Sequence, residues 1–170
     1  IMESLFAVVD IFFVSRLGAE AVASVGLTES VMTIVYSVSA GLGVATTALV
    51  SRRIGEKNNR GAGEAAMQAI LLSFLVSLFI AFPGALFSRE FLLLMGATPE
   101  MAEENYAYPA IIFGTNSIVM LLFIINAVFR SSGDAAISFR VVFVANLINM
   151  VLDPLLIFGW GPVPAMGITG

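Results

Sequence analysis

Long apolar runs separated by short polar segments dominate this 170-residue sequence. Four of the runs approach or exceed the roughly 20 residues that a helix needs to cross the hydrocarbon core of a bilayer. They predict membrane spans over residues 30–50, 65–87, 106–129 and 137–158. A shorter apolar run, residues 1–15, predicts the end of a helix whose start lies outside this chain. The pattern therefore predicts an all-α integral membrane protein, a polytopic bundle of five helices.

Charge distinguishes the segments that connect these runs. Residues 19–29 predict a short amphipathic connection, residues 51–64 a loop rich in Lys and Arg, and residues 88–105 an acidic loop. Residues 130–134 form a polar turn after the fourth span. Because positively charged loops stay on the cytoplasmic side, this asymmetry predicts a multi-pass protein of the cell inner (plasma) membrane with its amino end in the cytoplasm.

Composition supports the membrane interpretation and excludes several functions. Hydrophobic residues make up 59% of the chain and charged residues 12%, whereas an average soluble domain has about 25% charged residues. Without cysteine or histidine, a triad with His, a disulfide and the usual zinc sites are excluded. The net charge of −4 argues against nucleic acid as a partner. The sequence also contains no phosphate-binding G-x-x-x-x-G-K-[ST] loop for ATP.

Polar side chains inside the apolar runs are the candidate functional residues. Asp10 lies in the first run. The last run carries Asn146, Asn149 and Asp153, which the helical repeat places on one face. Pro154 follows directly and removes a backbone hydrogen bond beside that face. A carboxylate at the centre of a bilayer costs roughly 2.5–3.5 kcal/mol on insertion scales, so such a group faces a partner, a cavity or a transported ion.

Two interpretations of these acids remain open on the residues alone. In the first, Asp10 extends toward the membrane interface and Asn149 with Asp153 joins helices through hydrogen bonds. In the second, which we favour, the two carboxylates with carboxamide and carbonyl oxygens hold a proton or Na⁺. We therefore expect a cation or proton site at Asp10, Asn149 and Asp153, with Asn146 as an additional candidate. The residue types do not distinguish Na⁺ from H⁺.

Small and amide side chains are predicted to serve helix packing. Small residues allow close backbone approach in lipid. Two rows of them occur in the second span: Ser37, Gly41 and Ala45 form one, and Ser39, Gly43 and Thr47 the other. In the fourth span, Asn116 and Asn126 predict interhelical hydrogen bonds rather than ligands.

Four segments, in this order, resemble the MATE (multidrug and toxic compound extrusion) transporters. They are residues 9–18, residues 41–55, Phe129-Arg-Ser-Ser-Gly133-Asp134 and Asn149-Met-Val-Leu-Asp153-Pro154. The resemblance implies a twelve-helix antiporter of the MOP superfamily with two six-helix lobes. Residues 1–170 would then be a partial amino-terminal lobe, lacking the start of helix one and all of helix six. The carboxy-terminal lobe of the same polypeptide and the lipid bilayer would be its partners.

The resemblance also implies an activity. It implies efflux of small drug-like compounds, organic and often cationic, in exchange for Na⁺ or H⁺, with no cofactor besides the coupling ion. It assigns the coupling site, including any bound Na⁺, to the positions of Asp10, Asn149 and Asp153, and adds Tyr108 as a further candidate.

Three other functions are weighed against this one. A lipid-linked oligosaccharide flippase of the same superfamily should show a strongly cationic cavity, whereas most of the basic residues here lie in predicted loops. A membrane-embedded enzyme would need Asp10 and Asp153 as an aspartyl dyad, but no flanking motif for one is present. A purely structural scaffold does not account for acids placed inside the membrane. We therefore expect a transporter and not an enzyme.

Overall fold

The computed structural model describes residues 11–159 and 164–169, and these are almost entirely helical. Residues 11–14 are helical and lead into a short 3-10 turn, Ser15–Leu17; a second such turn is Gly167–Thr169. Between them lie α1 (Ala19–Gly55), α2 (Asn59–Leu86), α3 (Ser88–Leu94), α4 (Pro99–Asn105), α5 (Ala107–Ser131) and α6 (Ala135–Phe158). The described residues contain no strand. Four helices, α1, α2, α5 and α6, are long and apolar enough to cross a membrane. The predicted all-α membrane bundle is confirmed.

The predicted connection at residues 19–29 is wrong, because these residues are the first turns of α1. The helix runs unbroken for 37 residues, about 55 Å at 1.5 Å per residue, against a hydrocarbon core of about 30 Å. Its polar side chains do not interrupt it: the Thr28 hydroxyl donates to the Ser24 carbonyl one turn earlier, at 2.8 Å. Hydropathy alone marks where a helix enters lipid and not where it begins.

Three helices, α1, α2 and α5, form the packed centre of the molecule, and α6 contacts chiefly α5. Met32 and Val35 of α1 meet Phe113 and Met120 of α5 in a buried cluster. Leu92 of α3 is also fully buried, so the two short helices close one end of the bundle. Most large apolar side chains elsewhere on the four long helices are exposed, as expected for surfaces that face lipid.

Glycine sets the distance between α2 and α5. A Cβ atom placed on Gly84 would lie 2.7 Å from both Cβ and Cγ of Phe113. Gly43 brings α1 to α5 in a looser contact, since its Cβ position lies 3.8 Å from the Ala127 Cβ. The packing role predicted for the row containing Ser39 and Gly43 is therefore confirmed for those two buried residues. The members of the other row are exposed in the described structure, so the packing role predicted for them stays a prediction: Ser37, Gly41 and Ala45.

Polar side chains in the core are satisfied mostly within their own helix. The Asn116 amide nitrogen donates to the Phe113 carbonyl at 2.8 Å, and its Oδ1 is buried without a partner. Its predicted interhelical bond is therefore wrong in the described part of the chain. A different pair joins α2 to α5, since the Ser77 and Ser117 hydroxyl oxygens lie 2.6 Å apart. The backbone carbonyl of Asn126, rather than its side chain, accepts a bond from α6.

The two ends of the bundle differ in charge. Basic residues flank the α1–α2 turn. Arg52 and Arg53, at the end of α1, pair with Glu56, and Arg60 pairs with Glu64 at the start of α2. Because α1, α2, α5 and α6 alternate in direction, the α5–α6 turn lies at this same basic end. The opposite end holds α3 and α4, which an ion pair between Arg89 and Glu103 joins.

Candidate functional site

The structure places the candidate acid of the last span on a well-defined helix. Asp134 caps the start of α6, where its Oδ1 accepts from the Ile137 backbone N–H at 3.2 Å. Pro154 lies inside α6, one residue after Asp153. Asp153 is 9% exposed, one of three buried residues of the helix. The carboxylate is therefore turned away from the lipid-facing surface.

Asn149 and Asp153 are in direct contact. With the amide oriented so that its nitrogen faces the carboxylate, Asn149 Nδ2 donates to Asp153 Oδ1 at 2.7 Å and Oδ2 at 3.2 Å. The two residues are one helical turn apart, as their spacing predicts. A neutral donor shared by both oxygens fixes the plane of the carboxylate without cancelling its charge. That arrangement suits a group that binds a proton or a small cation.

The full predicted coupling site extends beyond the residues described. Asp10 lies outside them, so its distance from Asp153 is not part of the observed geometry. Within residues 11–159 and 164–169, no cluster of three His, Cys, Asp or Glu side chains is present to hold a metal ion. The Na⁺ or H⁺ site at Asp10, Asn149 and Asp153 therefore stays a prediction.

A pocket of about 500 Å³ lies between α5 and α6. Its walls are apolar, with Leu122 and Phe123 on one side and Phe139 on the other. Its polar lining residues are Asn126, Arg130, Ser138 and Asn146. Asn146 thus connects the pocket to the Asn149–Asp153 pair, because it precedes Asn149 by about one turn of the same helix. The Asn146 amide nitrogen is buried and has no hydrogen-bond partner.

A second pocket, of about 510 Å³, lies on the α1 side of the first. Phe123 and Arg130 line both pockets. Phe123 also stacks on Tyr36 of α1, with ring centroids 6.4 Å apart and planes inclined by 27°. Sequence reasoning missed the pocket role of Arg130, which it assigned to a polar turn. Its position in the last turn of α5 was the available signal.

Tyr108, the further candidate, lines a different pocket near the opposite end of α5. This cavity, of about 360 Å³, lies between residues 11–14, α1 and the start of α5. Glu29 of α1 lines it as well. The predicted connection at residues 19–29 had hidden Glu29 as a possible site residue. Asn146 and Tyr108 thus belong to two separate cavities in the described structure.

Comparison with known proteins decides the family. The MatE family model matches residues 1–155. The chain belongs to the MatE family. Among curated MatE relatives, an FAD transporter of Shewanella oneidensis is 33% identical and covers 97% of this chain. The probable multidrug resistance protein YoeA of Bacillus subtilis is 28% identical over the whole chain. This MatE chain spans 36% and 37%, respectively, of the length of those two proteins.

Solved structures of the MatE family have the same fold. The inward-facing conformation of a multidrug resistance MATE transporter of the MOP superfamily matches with a TM-score of 0.87 and 29% identity. The match covers 98% of this chain and 37% of that one. A MOP superfamily transporter from Pyrococcus furiosus, whose binding pocket is described as having reverse polarity, gives a TM-score of 0.87 and 28% identity over 99% of this chain. This MatE chain covers 36% of that transporter.

Proposed function

We propose that this chain is most of the amino-terminal lobe of a cation-driven exporter of small organic molecules. The observation that carries the proposal is the buried Asp153 carboxylate, held by Asn149 inside a helix of membrane-spanning length. Acids inside membrane spans are costly, face the bundle interior and commonly mark the pathway of an ion or proton. Family membership supports transport as the class of function, since relatives are transporters rather than enzymes.

The proposed mechanism uses α6 to connect ion binding to substrate release. A proton or Na⁺ binds at Asp153, together with Asn149 and Asp10, and neutralises the carboxylate. Charge loss weakens the hydrogen bonds from the Asn149 amide, which precedes Asp153 by one turn. Asn146, in turn, lines the α5–α6 pocket about one turn farther along. The ion drives the cycle only if it binds the two conformations with different affinity.

The basic end of the bundle sets the proposed orientation. Arg52, Arg53, Lys57 and Arg60 cluster at the α1–α2 turn, and Arg130 lies at the α5–α6 turn of the same end. The positive-inside rule makes this end cytoplasmic. We infer an inner (plasma) membrane location with the amino end in the cytoplasm and export toward the α3–α4 end. A cavity between two lobes needs the second lobe, so the carboxy-terminal lobe of the same polypeptide completes the transporter.

Two substrate classes follow from the named relatives. Several are multidrug resistance or export proteins, including YoeA and MepA of Staphylococcus aureus. Another is an FAD transporter. A lipid-linked oligosaccharide flippase is not favoured, since the named relatives carry other activities.

The charge of the pockets agrees with this. Among the residues described, Arg130 is the single basic residue that lines the two pockets sharing Phe123.

Transport by the full-length parent tests the proposal. Inverted membrane vesicles would carry wild type, Asp153→Asn or the control Asp134→Asn, with ethidium, riboflavin and FMN as substrates. Imposed Na⁺ and pH gradients would be applied in turn. The control makes the same change of acid to amide at the exposed cap of α6, where Asn also serves.

We expect Asp153→Asn to insert normally and to lose gradient-driven transport, while Asp134→Asn retains it. The gradient that drives wild type then identifies the coupling ion. Transport by Asp153→Asn at the wild-type rate would assign Asp153 to helix packing and overturn the proposed coupling site. Failure of both gradients to move any of the three compounds would overturn the proposed cation-driven export.

A further inference from the structure

We infer that the α5–α6 pocket binds planar aromatic molecules that carry negative charge, in preference to organic cations. The inference rests on the proposed function and assigns a substrate class to its pocket. It differs from the expectation of often cationic substrates that the family resemblance implies. Three features of the described residues support it: the charge of the lining, its aromatic faces and its hydrogen-bond donors.

Charge is the first feature. Among the described residues that line the pocket, Arg130 alone is charged, and it also lines the neighbouring α1-side pocket. No ion pair occupies Arg130 in the described part of the chain. A carboxylate that could offset its charge for a cationic ligand is missing from both described linings. A cavity lined by Glu29 lies near the other end of the bundle.

A guanidinium at the pocket favours anions for two physical reasons. Its charge attracts anions, and its side chain is exposed, so a ligand entering the pocket can reach it. Its planar fork of donors also matches the geometry of phosphate and carboxylate groups. An organic cation in the same position gains neither interaction and meets a like charge instead.

Aromatic faces are the second feature. Phe123 lines the pocket from α5 and stacks on Tyr36 of α1. Phe139 lines the pocket from α6 and stacks on Phe143, with centroids 6.2 Å apart and planes inclined by 25°. The two pocket rings offer flat surfaces to a planar ligand. The volume of about 500 Å³ suits a fused ring system with a substituent.

Hydrogen-bond donors are the third feature. The Ser138 hydroxyl already donates to the Asn126 carbonyl, at 3.3 Å. The Asn146 amide nitrogen is a buried donor with no acceptor. Together with Arg130, this donor makes the polar lining of the pocket rich in N–H groups. Ring carbonyls and phosphate oxygens of a ligand supply the matching acceptors.

Three fluorescent probes separate charge from ring recognition. FMN and riboflavin share one ring system and differ by a phosphate, and ethidium is a planar cation. Equilibrium binding to the full-length transporter in lipid nanodiscs would be measured by fluorescence for wild type, Arg130→Gln and Arg140→Gln. Arg140 is a matched control, because it is an exposed arginine of α6 that does not line the pocket.

We expect wild type to bind FMN roughly 10-fold or more tightly than riboflavin, as charged hydrogen bonds contribute on that scale. Ethidium should bind most weakly of the three. Arg130→Gln should bring the FMN and riboflavin affinities together, whereas Arg140→Gln keeps them apart. Asn146→Leu should weaken both flavins by a similar factor, since it removes a donor to the shared ring.

Two results would overturn the inference: ethidium binding as tightly as FMN, or an unchanged ratio of FMN to riboflavin affinity in Arg130→Gln. If Arg130→Gln does not insert into the membrane, two other variants test the same point. Arg130→Glu should invert the ratio of FMN to riboflavin affinity, and Arg130→Lys should keep it. A measurement of export distinguishes failure of this inference from failure of the proposed function. Gradient-driven export of ethidium with no dependence on Arg130 would overturn the anion preference and leave cation-driven export standing.

Discussion

The Asn149 amide donates to both carboxylate oxygens of Asp153 across one turn of α6, at 2.7 and 3.2 Å. This neutral side chain helps to fix the orientation of a carboxylate that is 9% exposed. Pro154 follows directly, where the helix lacks one backbone hydrogen bond. The acid is thus held from one side by an amide and lies next to a locally weakened stretch of helix.

Replacement of the amide should change ion coupling without abolishing it. We expect Asn149→Leu to lower the half-saturating concentration of the driving cation by roughly 10-fold, because the lost hydrogen bonds stabilise the charged, ion-free carboxylate and bonds to charged groups contribute about 1.5–3 kcal/mol. Asn149→Gln keeps the amide and should fall between Leu and wild type. Transport measured against cation concentration in vesicles checks this. An unchanged half-saturating concentration in Asn149→Leu would show that the amide does not support the ion site.

A methyl group on Gly84 should destabilise the contact between α2 and α5. Its Cβ would lie 2.7 Å from the Phe113 Cβ, which is fixed to the α5 backbone and cannot rotate away. We expect Gly84→Ala to lower the free energy of unfolding by about 1–3 kcal/mol, as overpacked cores do. Thermal unfolding in detergent would measure it.

Gly114→Ala is the matched control for that substitution. Its added methyl would meet only the Ala85 Cβ, at an ordinary 3.8 Å. Alanine is favoured over glycine inside a helix by about 0.5–1 kcal/mol, so this variant should be neutral or more stable. Equal destabilisation by the two variants would rule out the steric contact with Phe113 as the cause.

The hydroxyl pair between α2 and α5 should show measurable coupling. Ser77 Oγ lies 2.7 Å from the Phe74 carbonyl, to which it donates, so it accepts the hydrogen of Ser117 across the 2.6 Å contact. A double-mutant cycle with Ser77→Ala and Ser117→Ala should give a coupling free energy of about 0.6 kcal/mol, the average for such bonds in membranes. Additive single effects would mean that the hydroxyls do not stabilise the interface.

The α1–α2 turn should lose order in acid. A hydrogen bond from Arg52, with help from Arg53, lowers the pKa of Glu56 below its usual value. A lowered pKa in the folded state contributes stability above the unfolded pKa, and that contribution is lost as the pH falls through the folded pKa. Hydrogen exchange at the Lys57 and Asn58 amides, which close the end of α1, would report it.

Glu56→Gln supplies the comparison for the acid effect. Near neutral pH the variant should show weaker amide protection than wild type at Lys57 and Asn58. Below the folded pKa of Glu56 the two proteins should become alike, because wild type is then protonated as well. A difference that persists in acid would assign the effect to something other than the Glu56 charge.

Periodicity and hydropathy predicted the fold because they report the two constraints that a bilayer imposes, length and apolarity. They did not report helix ends outside lipid. The connection was predicted from the polar residues Glu20, Ser24 and Glu29, which in fact lie on the continuous helix α1. Polar side chains are compatible with a helix that is exposed to water. Ser24 is buried by tertiary packing, which a local sequence pattern does not report.

The candidate site was predictable only along one helix. The spacing of Asn149 and Asp153 specified their contact, because both belong to α6. Which residues meet across helices was not specified, so Phe123 and Arg130 were missed as pocket residues. Asn116 shows the same limit. Its amide nitrogen donates to the Phe113 carbonyl of the same helix, and that partner depends on side-chain geometry. Tertiary placement decides such partners, and a single sequence does not record it.

In the described part of the chain, α6 packs less closely than the other three long helices. Helices α1, α2 and α5 interlock through Gly84 and the paired serines, whereas α6 buries only Ser138, Asp153 and Ile157. We therefore expect any movement within this lobe to take place at α6 and to leave the three-helix centre intact. Mutations that tighten that centre should then raise heat resistance without slowing transport, whereas a crosslink from α5 to α6 should slow it.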